Sequence, residues 1–138
     1  VDADLADRVT KENLDEAAAF AKAFAGKMNA VVAITGAIDI VADAEKAYCI
    51  YNGRPEMSSI TGTGCQLSAL TAAFVTANQE QPLEAAAAAV CAMGLAGETA
   101  YARLSELDGN ATYRNYIIDA IYRMNGEALE AGAKFEVR

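Results

Sequence analysis

Histidine is absent from this 138-residue chain. That removes Ser-His and Cys-His catalytic pairs, imidazole acid/base chemistry and His-ligated metals from what the chain's own side chains can do. Basic clusters are also missing: 11 Lys and Arg stand against 19 Asp and Glu, a net charge of −8. This argues against nucleic acid or an anionic membrane surface as partner. Cysteines are few, odd in number and far apart (Cys49, Cys65, Cys91), so neither a disulfide framework nor a zinc site is indicated, and a reducing cytoplasm is the expected compartment. The longest apolar stretch, Ala85 to Ala96, is too short to span a bilayer, and no signal-peptide pattern opens the chain. Val1 stands where a methionine would start a complete chain, which raises the expectation of a fragment.

What is present is a globular composition, 54% apolar, enough at this length to bury roughly 68% of the unfolded surface in one domain or part of one. Leu14, Ala17, Ala18, Ala21 and Phe24 lie at helical spacing between Thr10, a predicted N-cap, and Gly26 with Asn29, where the helix should stop. Ala30 to Gly36 is a short, continuous, β-branched run, predicting a strand buried on both faces as in a parallel sheet. Its end, Thr35-Gly36, lies where ligands sit in open α/β sheets. Ile38 to Val41 and Lys46 to Tyr51 read as a β-hairpin, followed by a turn at Asn52-Gly53-Arg54-Pro55.

Helices are predicted over Thr61 to Ala77, from Pro82 towards Leu107 and over Thr112 to Met124, and Lys134 to Arg138 as a short edge strand. The Pro82 helix is apolar on most sides and should be deeply packed. Gly94 and Gly97 on it would admit a neighbouring backbone. Helix, strand, hairpin and three helices make an α/β fold.

The chemistry concentrates at Ile60-Thr61-Gly62-Thr63-Gly64-Cys65-Gln66-Leu67, a glycine turn running into a helix. Free N–H groups and the positive dipole end of a new helix favour an anion, and glycines let it approach. Thr63 and Gln66 also fit a capping box, which explains those two residues without any ligand but leaves the flanking Gly62 and Gly64 unexplained. Spacing alone leaves both readings open. Cys49 and Cys91 read as packing residues, whereas Cys65 sits in the first turn of the helix. Thr35, Asp39 and the tyrosines at 101, 113, 116 and 122 are less specific, and the tyrosines read as core and rim aromatics. Asp43, Glu45 and Lys46 read as a solvated turn.

Thr61 to Ala69 resembles the glycine-rich motif of the vitamin kinases in the ribokinase-like superfamily. With Val31 to Asp39 upstream, and Asn52-Gly53 and Met57 shortly before the motif, it most resembles the hydroxyethylthiazole kinase family of thiamine salvage; Val1-Asp2 is similar to a Gly-Val-Asp stretch in the middle of that family's chain. The resemblance spans nearly the whole sequence but corresponds to a member's C-terminal half. It implies that residues 1–138 form the C-terminal part of a single ribokinase-like kinase domain, a three-layer α/β/α fold whose N-terminal half is absent. The implied reaction is ATP-dependent phosphorylation, with Mg2+, of the primary alcohol of 4-methyl-5-(2-hydroxyethyl)thiazole.

By the same resemblance Cys65 takes the place of the base beside the attacking hydroxyl, where sugar kinases of the superfamily carry an aspartate. Gly62, Thr63 and Gly64 supply an anion hole for the transferring phosphoryl group. Gly62 also approaches the thiazole, and Thr35, with Gly36, lies at the nucleotide phosphates. Phosphoryl transfer through a loose transition state needs positioning and charge stabilisation more than a strong base, so a thiol is adequate. No magnesium ligand is assigned to this chain, because the family's acidic segment and most of its thiazole pocket lie upstream of Val1. Members are cytoplasmic homotrimers with sites at subunit interfaces, so the chain alone is expected to be inactive.

Two departures from the family pattern stand out. Ser59 replaces a frequent Lys or Arg before the motif, and Ala37 replaces a frequent Glu after Thr35-Gly36. They favour a non-catalytic nucleotide-binding module as one alternative; another is a different vitamin kinase such as hydroxymethylpyrimidine kinase, which shares the Gly-Thr-Gly-Cys motif. Thiol chemistry at Cys65 lacks a histidine partner.

Overall fold

In the computed structural model, which describes residues 9–138, the first helix, α1, spans Leu14–Met28. Val1-Asp2 lies outside the described residues. Thr10 is not the cap: its backbone N–H and its hydroxyl both donate to Asn13 Oδ1 (2.7 and 3.3 Å), and the helix opens behind Asn13. An asparagine acceptor three residues on offers Thr10 a local turn in place of a helix start. The other end matches its residues. Asn29 adopts φ 48°, and the N–H groups of Asn29 and Ala30 return to the carbonyls of Gly26 and Ala25, the left-handed stop that Asn tolerates.

Strands β1 (Val32–Ile34), β2 (Asp39–Ala42) and β3 (Ala47–Ile50) follow, and β4 (Phe135–Val137) closes the chain. In the β2–β3 turn, Asp43 Oδ1 accepts from the N–H groups of Glu45 and Lys46 (2.8 and 2.7 Å), bringing Ala42 opposite Ala47. The described strands lie in the order β1-β2-β3-β4, and every pairing is antiparallel. This corrects the parallel-sheet reading of residues 30–36. The β1–β2 and β2–β3 connections are too short for a crossover, so the chain must double back there. β1, at one edge of the described sheet, is half-buried and not fully buried, with Ile34 against the α1 side and Ala33 against the α3 side. The tail strand, predicted on five residues, does pair with β3.

Alternation along the strands sorts the core into layers. Ile40, Ala42, Ala47 and Cys49 face α1, with Ala18 and Ala21 against them. Val41 and Ile50 face the opposite way, onto Leu83, Ala87 and Val90 of α3, which spans Pro82–Tyr101. Helix, sheet and helix give the three-layer α/β arrangement. Pro82 occupies the first turn of α3 as its residue type favours. At 20 residues α3 is longer than the apolar run Ala85 to Ala96, and by length and composition alone it could cross a membrane; 72% of that span is buried inside the protein's own core.

Helices α2 (Thr63–Ala77) and α4 (Asn110–Arg123) flank α3. The seven-residue α5 (Gly126–Gly132), not foreseen in the sequence, starts where Asn125 Oδ1 accepts the N–H of Ala128 (2.9 Å). Gly94 and Gly97 do make room for neighbours: a Cβ on Gly94 would lie 2.7 Å from the backbone carbon of Asn52, and one on Gly97 would lie 2.1 Å from Met57 Sδ. Lys46, read as part of a solvated turn, also reaches Glu84 of α3 (2.6 Å).

Candidate active site

The glycine turn sits between two packed regions. Ile60, 5% exposed, is anchored among Met93, Ala96, Tyr113 and Ile117. Leu67, one turn into α2, packs against both that cluster and the sheet-side cluster containing Val31 and Ala33. Between these anchors the chain turns at Gly62, which takes the N-cap position with φ 95° and ψ 4°, a conformation that favours glycine. Thr63, Gly64 and Cys65 are therefore the first three helical residues, and the first intrahelical bond runs from Gln66 N–H to the Gly62 carbonyl (3.0 Å).

The capping-box reading does not survive this geometry. With Gly62 as cap, Gln66 falls one residue too late to reach back. The Thr63 hydroxyl instead donates to the Ile60 carbonyl (3.4 Å), and no side chain caps the helix. Gln66 Oε1 is closed off from solvent with no hydrogen-bond partner among the described residues. Among those residues, the N–H groups of Thr63, Gly64 and Cys65 also meet no acceptor, as expected of an uncapped helix start. A Cβ on Gly64 would have nothing within 4 Å, and Cys65 is exposed. The result is an open, electropositive helix start with a thiol beside it.

The other two cysteines are different. Burial pushes the Cys49 thiol up, and burial with the neighbouring Asp39 charge pushes Cys91 up to about 11, so both are packing residues. Tyr113 is 2% exposed, packs edge-on to Tyr101 and donates to the Gly97 carbonyl (3.0 Å), while Arg103 covers Tyr116. These aromatics belong to the core and its rim.

Thr35, directly after β1, is half-buried, and Gly36 beyond it is exposed. The Gly36 N–H donates to Asp39 Oδ1 (2.8 Å), so the first residue of β2 holds the loop. Desolvation raises the Asp39 carboxyl to about 6, against the lowering effect of that N–H. Asp39 pairs with Ile50, so the Thr35-Gly36 loop and the exit of β3 towards Asn52-Gly53 share one end of the sheet. Thr35 and Gly36 are thus on a different element from the glycine turn, linked to it through the core that Ala33 and Leu67 share.

Glu98 and Asn110 escaped the sequence reading. The Gly53 N–H donates to Glu98 Oε1 (2.9 Å), and Asn110 Nδ2 donates to the Ser59 carbonyl (3.1 Å). For Glu98 a signal existed: it is the carboxylate that interrupts an apolar helix one residue after Gly97. Among the described residues no three His, Cys, Asp or Glu side chains gather into a metal site.

The three-layer α/β arrangement is that of the ribokinase-like folds. A solved hydroxyethylthiazole kinase from Pyrococcus horikoshii OT3 superimposes with a TM-score of 0.81 at 33% identity, over 92% of this chain and 48% of that one. The model of the hydroxyethylthiazole kinase family matches residues 7–127, and the chain belongs to that family. Hydroxyethylthiazole kinase of Clostridium acetobutylicum is 57% identical over 136 residues, 99% of this chain and 50% of the relative. The enzyme of that name from Zea mays is 39% identical over 118 residues, 86% and 41% respectively. The chain therefore spans about half the length of the relatives it matches.

Proposed function

We propose that the protein containing this chain transfers the terminal phosphoryl group of ATP to the hydroxyl of 4-methyl-5-(2-hydroxyethyl)thiazole, and that this chain supplies the phosphoryl-binding half of the site. The observation that carries the reading is Gly64. It lies in a helical turn, where glycine costs about 1 kcal/mol against alanine, yet no neighbour would meet its Cβ. Close approach of a ligand explains it where the fold does not. The unpartnered N–H groups of Thr63, Gly64 and Cys65 suit phosphate oxygens, and Gly62 leaves room for the alcohol.

In this reading Cys65 lies on the hydroxyl side. Its sulfur takes the proton late, as the new bond to phosphorus acidifies the alcohol. Thr35 and Gly36 face the nucleotide phosphates. Mg2+, which supplies charge neutralisation at the phosphates when bound, would be held by the nucleotide and, on family resemblance, by an acidic segment upstream of Val1. A cytoplasmic homotrimer with shared sites completes the proposal, on family resemblance.

The test is a substrate panel with the full product of the gene. Phosphorylation of the thiazole alcohol with ATP is expected, with little on hydroxymethylpyrimidine. Cys65→Ala should lower kcat about 100-fold or more with nucleotide affinity unchanged. A pyrimidine preference, or ATP binding without transfer, would overturn the reading; unchanged turnover in Cys65→Ala would reject the base role.

A further inference from the structure

The segment from Asn52 to Ile60 leads from the sheet to the glycine turn, and α3 and α4 hold it along its length. Asn52 is 7% exposed, and its amide is fully used: Nδ2 donates to Glu98 Oε1 (3.2 Å) and to the Gly132 carbonyl (3.0 Å), while Oδ1 accepts the N–H of Lys134 (2.8 Å). Glu98 Oε1 also accepts from Gly53 N–H (2.9 Å), and Glu98 Oε2 takes the Lys134 ammonium (2.6 Å). Gly53 itself is at φ 117°. Further along, Met57 fills the notch at Gly97, and Asn110 holds the Ser59 carbonyl. Two residues past Ile60 the chain reaches Gly62.

We propose that Glu98 is a positioning residue for phosphoryl transfer, fixing the start of this segment so that the Gly62–Cys65 amides meet the transferring group in register. The inference rests on the function proposed above. A carboxylate drawn against a covered helix surface loses hydration, which an apolar side chain would not. What Glu98 provides in return is geometry, since one oxygen joins a backbone N–H of the loop to the Asn52 amide and the other ties both to the C-terminal segment. Burial works against its charge, and Lys134, Gly53 and Asn52 together outweigh that and hold its pKa below the usual carboxylate range. It touches no reacting atom, so its effect falls on the chemical step and not on substrate affinity. Misplacement of a catalytic donor by about 1 Å costs on the order of 100-fold in rate.

The experiment uses the full gene product and four proteins: parent, Glu98→Ala, Glu98→Gln and Lys134→Ala. Glu98→Ala should lower kcat for the thiazole alcohol about 10- to 100-fold with both KM values nearly unchanged. Glu98→Gln keeps an acceptor for Gly53 and should recover most of the loss. Lys134→Ala removes the outer ion pair and should lower Tm without a comparable loss of kcat. Amide hydrogen exchange at Ile60 and Gln66, whose N–H groups bond the carbonyls of Met57 and Gly62 on either side of the turn, should accelerate in Glu98→Ala and not in Glu98→Gln. If Glu98→Ala does not fold, Glu98→Asp, which shortens the reach to Gly53, is read by the same two measurements. A kcat within twofold of the parent, a loss confined to KM, or an equal kcat loss in Lys134→Ala overturns the positioning role. Should the parent phosphorylate no alcohol, the functional reading fails, and exchange at Ile60 and Gln66 still decides whether Glu98 orders the turn.

Discussion

Gly62 and Gly64 are both glycines of one turn, and their backbones separate two reasons for the residue. Gly62 stands at φ 95°, where any Cβ is strained by about 1 kcal/mol or more. Gly64 is helical with open space around it. Alanine at Gly64 should therefore stabilise the protein by about 0.5–1 kcal/mol and raise Tm by about 2 °C, while lowering kinase turnover at least about 10-fold by crowding the phosphoryl group. Gly62→Ala should lower both. Thermal melts beside a coupled kinase assay read the two effects; a Gly64→Ala protein that is both more stable and fully active would remove the ligand-approach argument. Cys65 belongs to the same scale: its exposure separates it from Cys49 and Cys91, a distinction its place in the first turn of α2 had already suggested.

Among the elements, the β1–β2 corner carries a stability that depends on pH. Asp39 closes the Thr35-Gly36 loop with a desolvated carboxyl whose pKa is about 6, above the ordinary aspartate value of about 3.9. The folded state binds this proton more tightly than the unfolded chain does. The resulting stabilisation is full below about pH 4 and is lost as pH rises through about 6, a change of about 3 kcal/mol. Asp39→Asn keeps the acceptor for Gly36 N–H and removes the charge. Its urea midpoint should pull ahead of the parent's between pH 4 and 7 and hold that lead above; parallel curves would sink the assignment.

Elements with strong local signals were legible in this way of reading. Pro82 marked the start of α3, Asn29 the end of α1, and Asp43 to Lys46 the hairpin turn. Legibility failed where neighbours decide. An unbroken apolar run at 30–36 does not say whether its partner strand is parallel, and α5 has seven residues and glycine at both ends, too little for periodicity. The site divided likewise. That the glycine turn at Gly62 opens a helix could be read from spacing, whereas Glu98 meets Gly53 across 45 residues and Lys134 meets Asn52 across 82, separations without any local pattern.

For the molecule as a whole, the net charge of −8 opposes a polyanionic nucleotide. Lys46, Arg54, Arg103, Lys134 and Arg138 are each engaged with a carboxylate, and Ser59 stands where the family often has a cation. On the function proposed above, the anion site would rest on amide dipoles set in a negative field. Screening acts on the two differently, because the field is spread over many exposed charges while the amide contacts are short. ADP binding to the 138-residue chain should therefore tighten by a few-fold as ionic strength rises from about 0.01 M to about 0.15 M, over which the Debye length falls from about 30 to about 8 Å. Calorimetric titration with ADP at three salt concentrations measures the trend. Weakening with salt would place a cationic contact at the turn and overturn the amide-only account. In the full gene product, a reversal of the trend would show that the remainder of the protein delivers the positive charge this chain lacks.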